Sequence, residues 1–161
     1  MSDARKPARG GHELLTELML AVFRVNGRLL AKGDELVLPL GLTSARWQML
    51  GAIALAGEPQ TAPQAAEAMG VTRQAAQKQL NLLLEEGLVE LQPNPRHQRL
   101  ALYALTTAGA SLYATAAGLN QLWTRRLASG MDKADIANAL DVLAELYEGL
   151  EGPLPTPEAL K

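Results

Sequence analysis

Within residues 72–81, Arg73, Gln74, Ala75, Gln77, Lys78 and Asn81 fall on one side of a helix. Ala76, Leu80, Leu83 and Leu84 fall on the other and can face a core. The outer set has the chemistry that reads base edges. Glutamine pairs with adenine N6 and N7, and lysine with guanine O6 and N7. Ala75 is small enough for close approach, as to a thymine methyl. Arg73, at the helix start, suits a phosphate contact that sets register. Further along, Arg96 and Arg99 bracket His97 in a turn-rich stretch, where arginine responds to groove width and phosphate charge. The plain alternative for both groups is a solvated face.

Those side chains need elements to aim them. Thr61 opens a short helix to Met69, with Gln64 at the third helical position as in a capping box. Gly70 ends it, and Thr72 caps the next helix, which Gly87 stops. A short glycine-containing turn lets two helices pack steeply and frees the N-terminal end of the second. Residues 88–91 and 100–105 then read as strands of a hairpin, with Pro93 and Pro95 in its long tip. The order of helix, short helix, helix and hairpin over residues 43–105 is that of a winged helix-turn-helix. Thr61 and Thr72 complete the expected DNA contacts with Arg73, Gln74, Ala75, Gln77, Lys78, Arg96 and Arg99.

Charge tempers this. Residues 61–109 hold Arg73, Lys78, Arg96 and Arg99 against Glu67, Glu85, Glu86 and Glu90. The module is formally neutral, but charge can still be segregated, with the cations on the outer helix face and the tip and the acids facing away. Few phosphate contacts imply weak non-specific binding and a shallow salt slope. Two modules acting together offset that weakness.

Longer helices flank the module. From His12 to Val37, Leu15, Leu18, Val22, Val25 and Leu29 recur at steps of 3, 4, 3 and 4, a heptad-like seam closed by Pro39 and Gly41. Thr43 caps a helix carrying Trp47, Leu50 and Ile53. Thr106 caps a helix to Ala128, which Ser129 and Gly130 break. Asp132 caps a last helix in which Ile136, Leu140, Leu143, Tyr147 and Leu150 form a second seam. The domains expected are a flexible tail (1–11), an N-terminal helix and connection (12–42), the winged module (43–105), C-terminal helices (106–152) and a Pro-rich tail (153–161).

Composition narrows the function. The 161 residues are 48% apolar but only 4% aromatic, with Ala and Leu dominant, which favours a mainly α (α+β) protein. A chain this long buries roughly 70% of its unfolded surface and needs no staple. There is no cysteine, so disulfides, thiolate metal sites and thiol redox sensing are excluded. His12 and His97 pair with no obvious nucleophile, and no glycine-rich phosphate loop occurs. No catalytic residue, metal or cofactor is expected. The polar start and the lack of a long apolar run predict a soluble, cytoplasmic protein with no membrane partner.

Three stretches carry a family resemblance: LPLGLTSARW at 38–47, MGVTRQAAQK at 69–78 followed by EGLV at 86–89, and LTTAG at 105–109. Together they resemble the MarR family of winged helix-turn-helix regulators, over about residues 12–150. The resemblance implies an obligate homodimer built from the first and last helices, which the two seams suit. Such a dimer binds a pseudo-palindrome in double-stranded DNA, one recognition helix per half-site. Family wings often carry an Asp and then Arg-Arg at the tip. Here His97, Gln98 and Arg99 stand there, so the wing arginine lacks that carboxylate.

The resemblance further implies a repressor released by a small aromatic effector. Arg46, Trp47 and Tyr113 are the candidate ligand-binding residues, an arginine for a carboxylate and aromatic rings for stacking. The competing reading is a winged-helix protein-interaction module without DNA binding, to which apolar Leu82 and Leu84 lend support.

Overall fold

The computed structural model describes residues 10–160. The expected flexible tail lies outside the described residues except for Gly10 and Gly11. These two belong to the start of α1 (Gly11–Val37), because Glu13 reaches back to accept from the Gly10 N–H at 3.0 Å. That bond satisfies an amide that a helix start otherwise leaves without a partner. The helix runs into a 3-10 turn, Leu38–Leu40, and Gly41 closes it with φ of 72°.

Helix α2 (Ser44–Ala56) begins under its Thr43 cap, which accepts from the Arg46 N–H. Buried Ser44 stitches it to α1. Its N–H donates to Asp34 Oδ1 at 2.6 Å and its hydroxyl to the Leu30 carbonyl at 2.8 Å. The helices meet closely at Gly33, where a Cβ would stand 2.4 Å from Ser44 Oγ.

Helices α3 (Ala62–Met69) and α4 (Arg73–Glu85) follow with the expected caps. Met49, Leu50, Leu80 and Leu83 interlock with Val37 and Val89 in one core. Burying each such side chain contributes about 1.5–3 kcal/mol. Leu84 packs partly buried against this core, whereas Leu82 stays on the surface.

Strands β1 (Val89–Gln92) and β2 (Leu102–Leu105) pair antiparallel, Val89 opposite Leu105 and Leu91 opposite Tyr103. A lone hairpin is marginal in water. Here Gln60 adds a bridge to Tyr103, with backbone bonds of 2.9 and 2.8 Å in both directions.

Helix α5 (Thr107–Ala128) is capped by Thr106, whose hydroxyl accepts from the Gly109 N–H and donates to the Gly87 carbonyl. Gly109 lies against the chain leaving α4. A Cβ there would sit 1.9 Å from the Leu88 oxygen, so only glycine fits.

The chain divides into two compact units between Leu119 and Asn120, inside α5. In the second, Asp132 caps α6 (Lys133–Gly149) by accepting from the Ala134 N–H at 2.7 Å. No residue of α6 is buried. The Pro-rich end, expected to be irregular, closes with a 3-10 turn over Pro157–Leu160.

Candidate nucleic-acid interface

The turn between α3 and α4 sets the direction of the outer face of α4. Gly70 takes φ of 62° and gives its N–H to the α3 carbonyls of Ala66 and Glu67. Thr72 then accepts from the Ala75 N–H at 3.1 Å, leaving Arg73 and Gln74 at an open helix start. Ala76, Leu80 and Leu83 point into the core. Arg73, Gln74, Ala75, Gln77, Lys78 and Asn81 are all exposed.

Arg73, Gln74, Gln77, Lys78 and Asn81 line an open groove of about 670 Å³, bounded by Pro63 and by Leu82 and Leu100. Glu85 lines it as well. The expectation that the acids of this module face away therefore fails for Glu85. It stands seven residues after Lys78, two helical turns, and so returns to the same face.

The wing tip is shaped by Asn94, whose Oδ1 accepts from the N–H groups of Arg96 at 3.0 Å and His97 at 3.2 Å. This turn, characteristic of Asn, holds the tip without the carboxylate that the family wing supplies. Arg96 and Arg99 are exposed, and neither has a carboxylate partner among the described residues. Arg96 and His97 face Thr61 and Gln64 across a hollow of about 440 Å³.

Besides Thr72, which caps α4, two residues of the expected contact set have side-chain partners within the fold. Thr61 is buried, and its hydroxyl donates to Gln64 Oε1 at 2.8 Å within the α3 cap. Gln77 is tied to Tyr103 Oη at 2.6 Å and to Asn81 Oδ1 at 2.8 Å. In the sequence Tyr103 carries only the signature of a strand residue. No local pattern marks it, because its partner lies 26 residues away.

The candidate effector residues are also engaged. The Arg46 guanidinium pairs with Glu86 through Nη1 and donates from Nη2 to the Gly41 carbonyl at 2.8 Å. Trp47 is half-buried beside Gly33, and Tyr113 packs against Gly51. Among the described residues no cluster of three or more His, Cys, Asp or Glu is placed to hold a metal ion. None of the described helices is long and apolar enough to cross a membrane.

A helix-turn-helix with a hairpin wing and flanking long helices is the architecture of winged-helix transcription regulators. The comparisons with known proteins agree. A model described as MarR family matches residues 40–100. An uncharacterized protein of Mycobacterium tuberculosis is 33% identical over 141 residues, which cover 88% of this chain and 97% of that relative. A mutant E. coli MarR complexed with operator DNA is 24% identical with a TM-score of 0.71, over 86% of this chain and 99% of that one. CouR from Rhodococcus jostii, bound to p-coumaroyl-CoA, is 22% identical with a TM-score of 0.71, over 80% and 90%. The chain belongs to the MarR family of transcription regulators.

Proposed function

We propose that the protein is a homodimeric repressor that binds pseudo-palindromic operators in double-stranded DNA and is released by a small aromatic effector. The observation that carries this reading is the outer face of α4. Arg73, Gln74, Ala75 and Lys78 stand exposed beside an open groove, on a helix whose other face is locked in the core. Arg73 contacts phosphate, Gln74 and Lys78 meet base edges, and Arg96 and Arg99 follow the adjoining backbone or minor groove. Thr72 supports the set as a cap, and Thr61 braces α3 from within. The operator complex of E. coli MarR supports DNA as the partner.

Dimerisation is supported by apolar surface. Helix α1 exposes Leu15, Val22, Phe23, Val25 and Leu29, and α6 exposes Ile136, Leu140, Leu143 and Tyr147, with Leu150 exposed at its C-cap. Apolar surface on this scale marks an interaction site. The two copies then place one α4 in each of two successive major grooves.

The effector is assigned to the surroundings of Arg46, Trp47 and Tyr113, and the p-coumaroyl-CoA held by CouR supports an aromatic ligand. An anionic effector competes with Glu86 for Arg46. Glu86 is the C-cap of α4, so such a ligand loosens the end of the recognition helix. It acts only by preferring the DNA-incompetent state.

The test is selection from random duplex DNA by the folded protein. A palindromic site with half-sites about one helical turn apart is the expected product. No enrichment, together with capture of a protein partner through the same face, would favour the interaction-module reading.

A further inference from the structure

Tyr103 is only 6% exposed, yet its hydroxyl emerges between two side chains of the recognition helix. Gln77 Nε2 donates to Tyr103 Oη at 2.6 Å and to Asn81 Oδ1 at 2.8 Å. Tyr103 Oη in turn donates to Asn81 Oδ1 at 3.4 Å. The tyrosine is well anchored. Its backbone exchanges two hydrogen bonds with Gln60, and it pairs with Leu91 across the hairpin.

A side-chain amide has two N–H donors and one acceptor oxygen. Both Gln77 donors are engaged inside this triad. What remains to face outward is Oε1, an acceptor that no donor occupies among the described residues. Asn81 has the opposite polarity. Its oxygen receives both bonds, and its Nδ2 donors remain. A glutamine without such ties can turn its amide and offer donor and acceptor together to adenine. Gln77 is held in one orientation.

We propose that Tyr103 is a positioning residue for base recognition. It fixes the Gln77 amide so that Gln77 reads, as an acceptor only, an exocyclic amine, N6 of adenine or N4 of cytosine. The proposal rests on the reading of α4 as the DNA-contacting helix. Two-point pairing with adenine stays with Gln74, whose amide has no partner among the described residues. Asn81, one turn beyond Gln77, supplies a donor suited to the N7 or O6 acceptors of a purine. Phenylalanine would fill the buried space at position 103 equally well, so the hydroxyl is the part that this role requires.

The experiment compares the wild type, Tyr103→Phe, Gln77→Glu, Gln77→Ala and the double variant Tyr103→Phe/Gln77→Ala. Each is titrated with the selected duplex and with every single-base-pair change of one half-site, and its melting temperature is recorded. Tyr103→Phe is expected to melt near the wild type and to lose discrimination at one position per half-site, by roughly 3- to 10-fold. Gln77→Glu, an obligate acceptor that can keep its tie by accepting from the Tyr103 hydroxyl, is expected to keep the preference there while binding all DNA more weakly. Adding Tyr103→Phe to Gln77→Ala should change nothing further at the position that Gln77 reads.

The proposal fails if Tyr103→Phe retains the wild-type profile, if it weakens every duplex equally, or if Gln77→Glu reverses the preference. Should Tyr103→Phe not fold, Gln77→Glu decides the polarity alone. A folded wild type that selects no duplex would overturn the DNA reading itself, an outcome distinct from these.

Discussion

Arg46 of α2 and Glu86, the cap that ends α4, form an ion pair across 40 residues of sequence. The pair is partly sheltered, with 18% of the Arg46 side chain and 39% of the Glu86 side chain exposed. Arg46 also donates to the Gly41 carbonyl, so one guanidinium joins the α1–α2 connection to the end of α4. Glu86→Gln should cost about 1 kcal/mol at low salt and less in concentrated salt. Arg46→Ala, which also strips the Gly41 carbonyl of its donor, should cost about 1–2 kcal/mol. Urea denaturation at two ionic strengths measures both.

The same pair makes a prediction about the effector. If an anionic ligand takes Arg46 from Glu86, then Glu86→Gln removes its competitor and should tighten ligand binding several-fold. Calorimetric titration with aromatic carboxylates checks this. Unchanged or weaker binding would remove Arg46 from the effector site.

Gly109 and Gly118 lie on the same helix and should respond oppositely to alanine. A Cβ on Gly109 meets the Leu88 oxygen at 1.9 Å, and backbone must move to admit it. Gly109→Ala should therefore cost about 2–4 kcal/mol. A Cβ on Gly118 meets nothing within 4 Å. Gly118→Ala should stabilise the helix by about 0.5–1 kcal/mol. Chemical denaturation of both variants supplies the comparison.

The seam on α6 predicts the oligomeric state. Sedimentation of the wild type should give a dimer. Leu140→Glu/Leu143→Glu should abolish the dimer, because two carboxylates cannot be left unpaired in an apolar interface. A dimer that survives the double change would place the interface elsewhere.

How far the sequence could be read depended on the range of each interaction. The caps at Thr43, Thr61, Thr72, Thr106 and Asp132 were all legible, and each acts as expected. Cap chemistry spans only two or three residues, so pattern suffices. The core face of α4 followed from periodicity in the same way. The second partner of Gln77, the engagement of Arg46 and the contact of Gly109 with Leu88 were not legible. Each joins residues on different elements, and only the packed fold brings them together. Thr61 shows the remaining difficulty. Its position as a cap was clear, but its burial is a property of the packed fold that no local pattern announces.

On the proposed reading, the outer face of α4 and the wing tip read DNA. Titration of the selected operator with Lys78→Ala and Arg99→Ala at two salt concentrations tests it most directly. Lys78→Ala should lose about 1–3 kcal/mol and relax discrimination at one base position. Arg99→Ala should weaken all sequences alike and reduce the salt slope by about one. Wild-type affinity and slope in both variants, with the fold intact, would contradict the assignment of this surface.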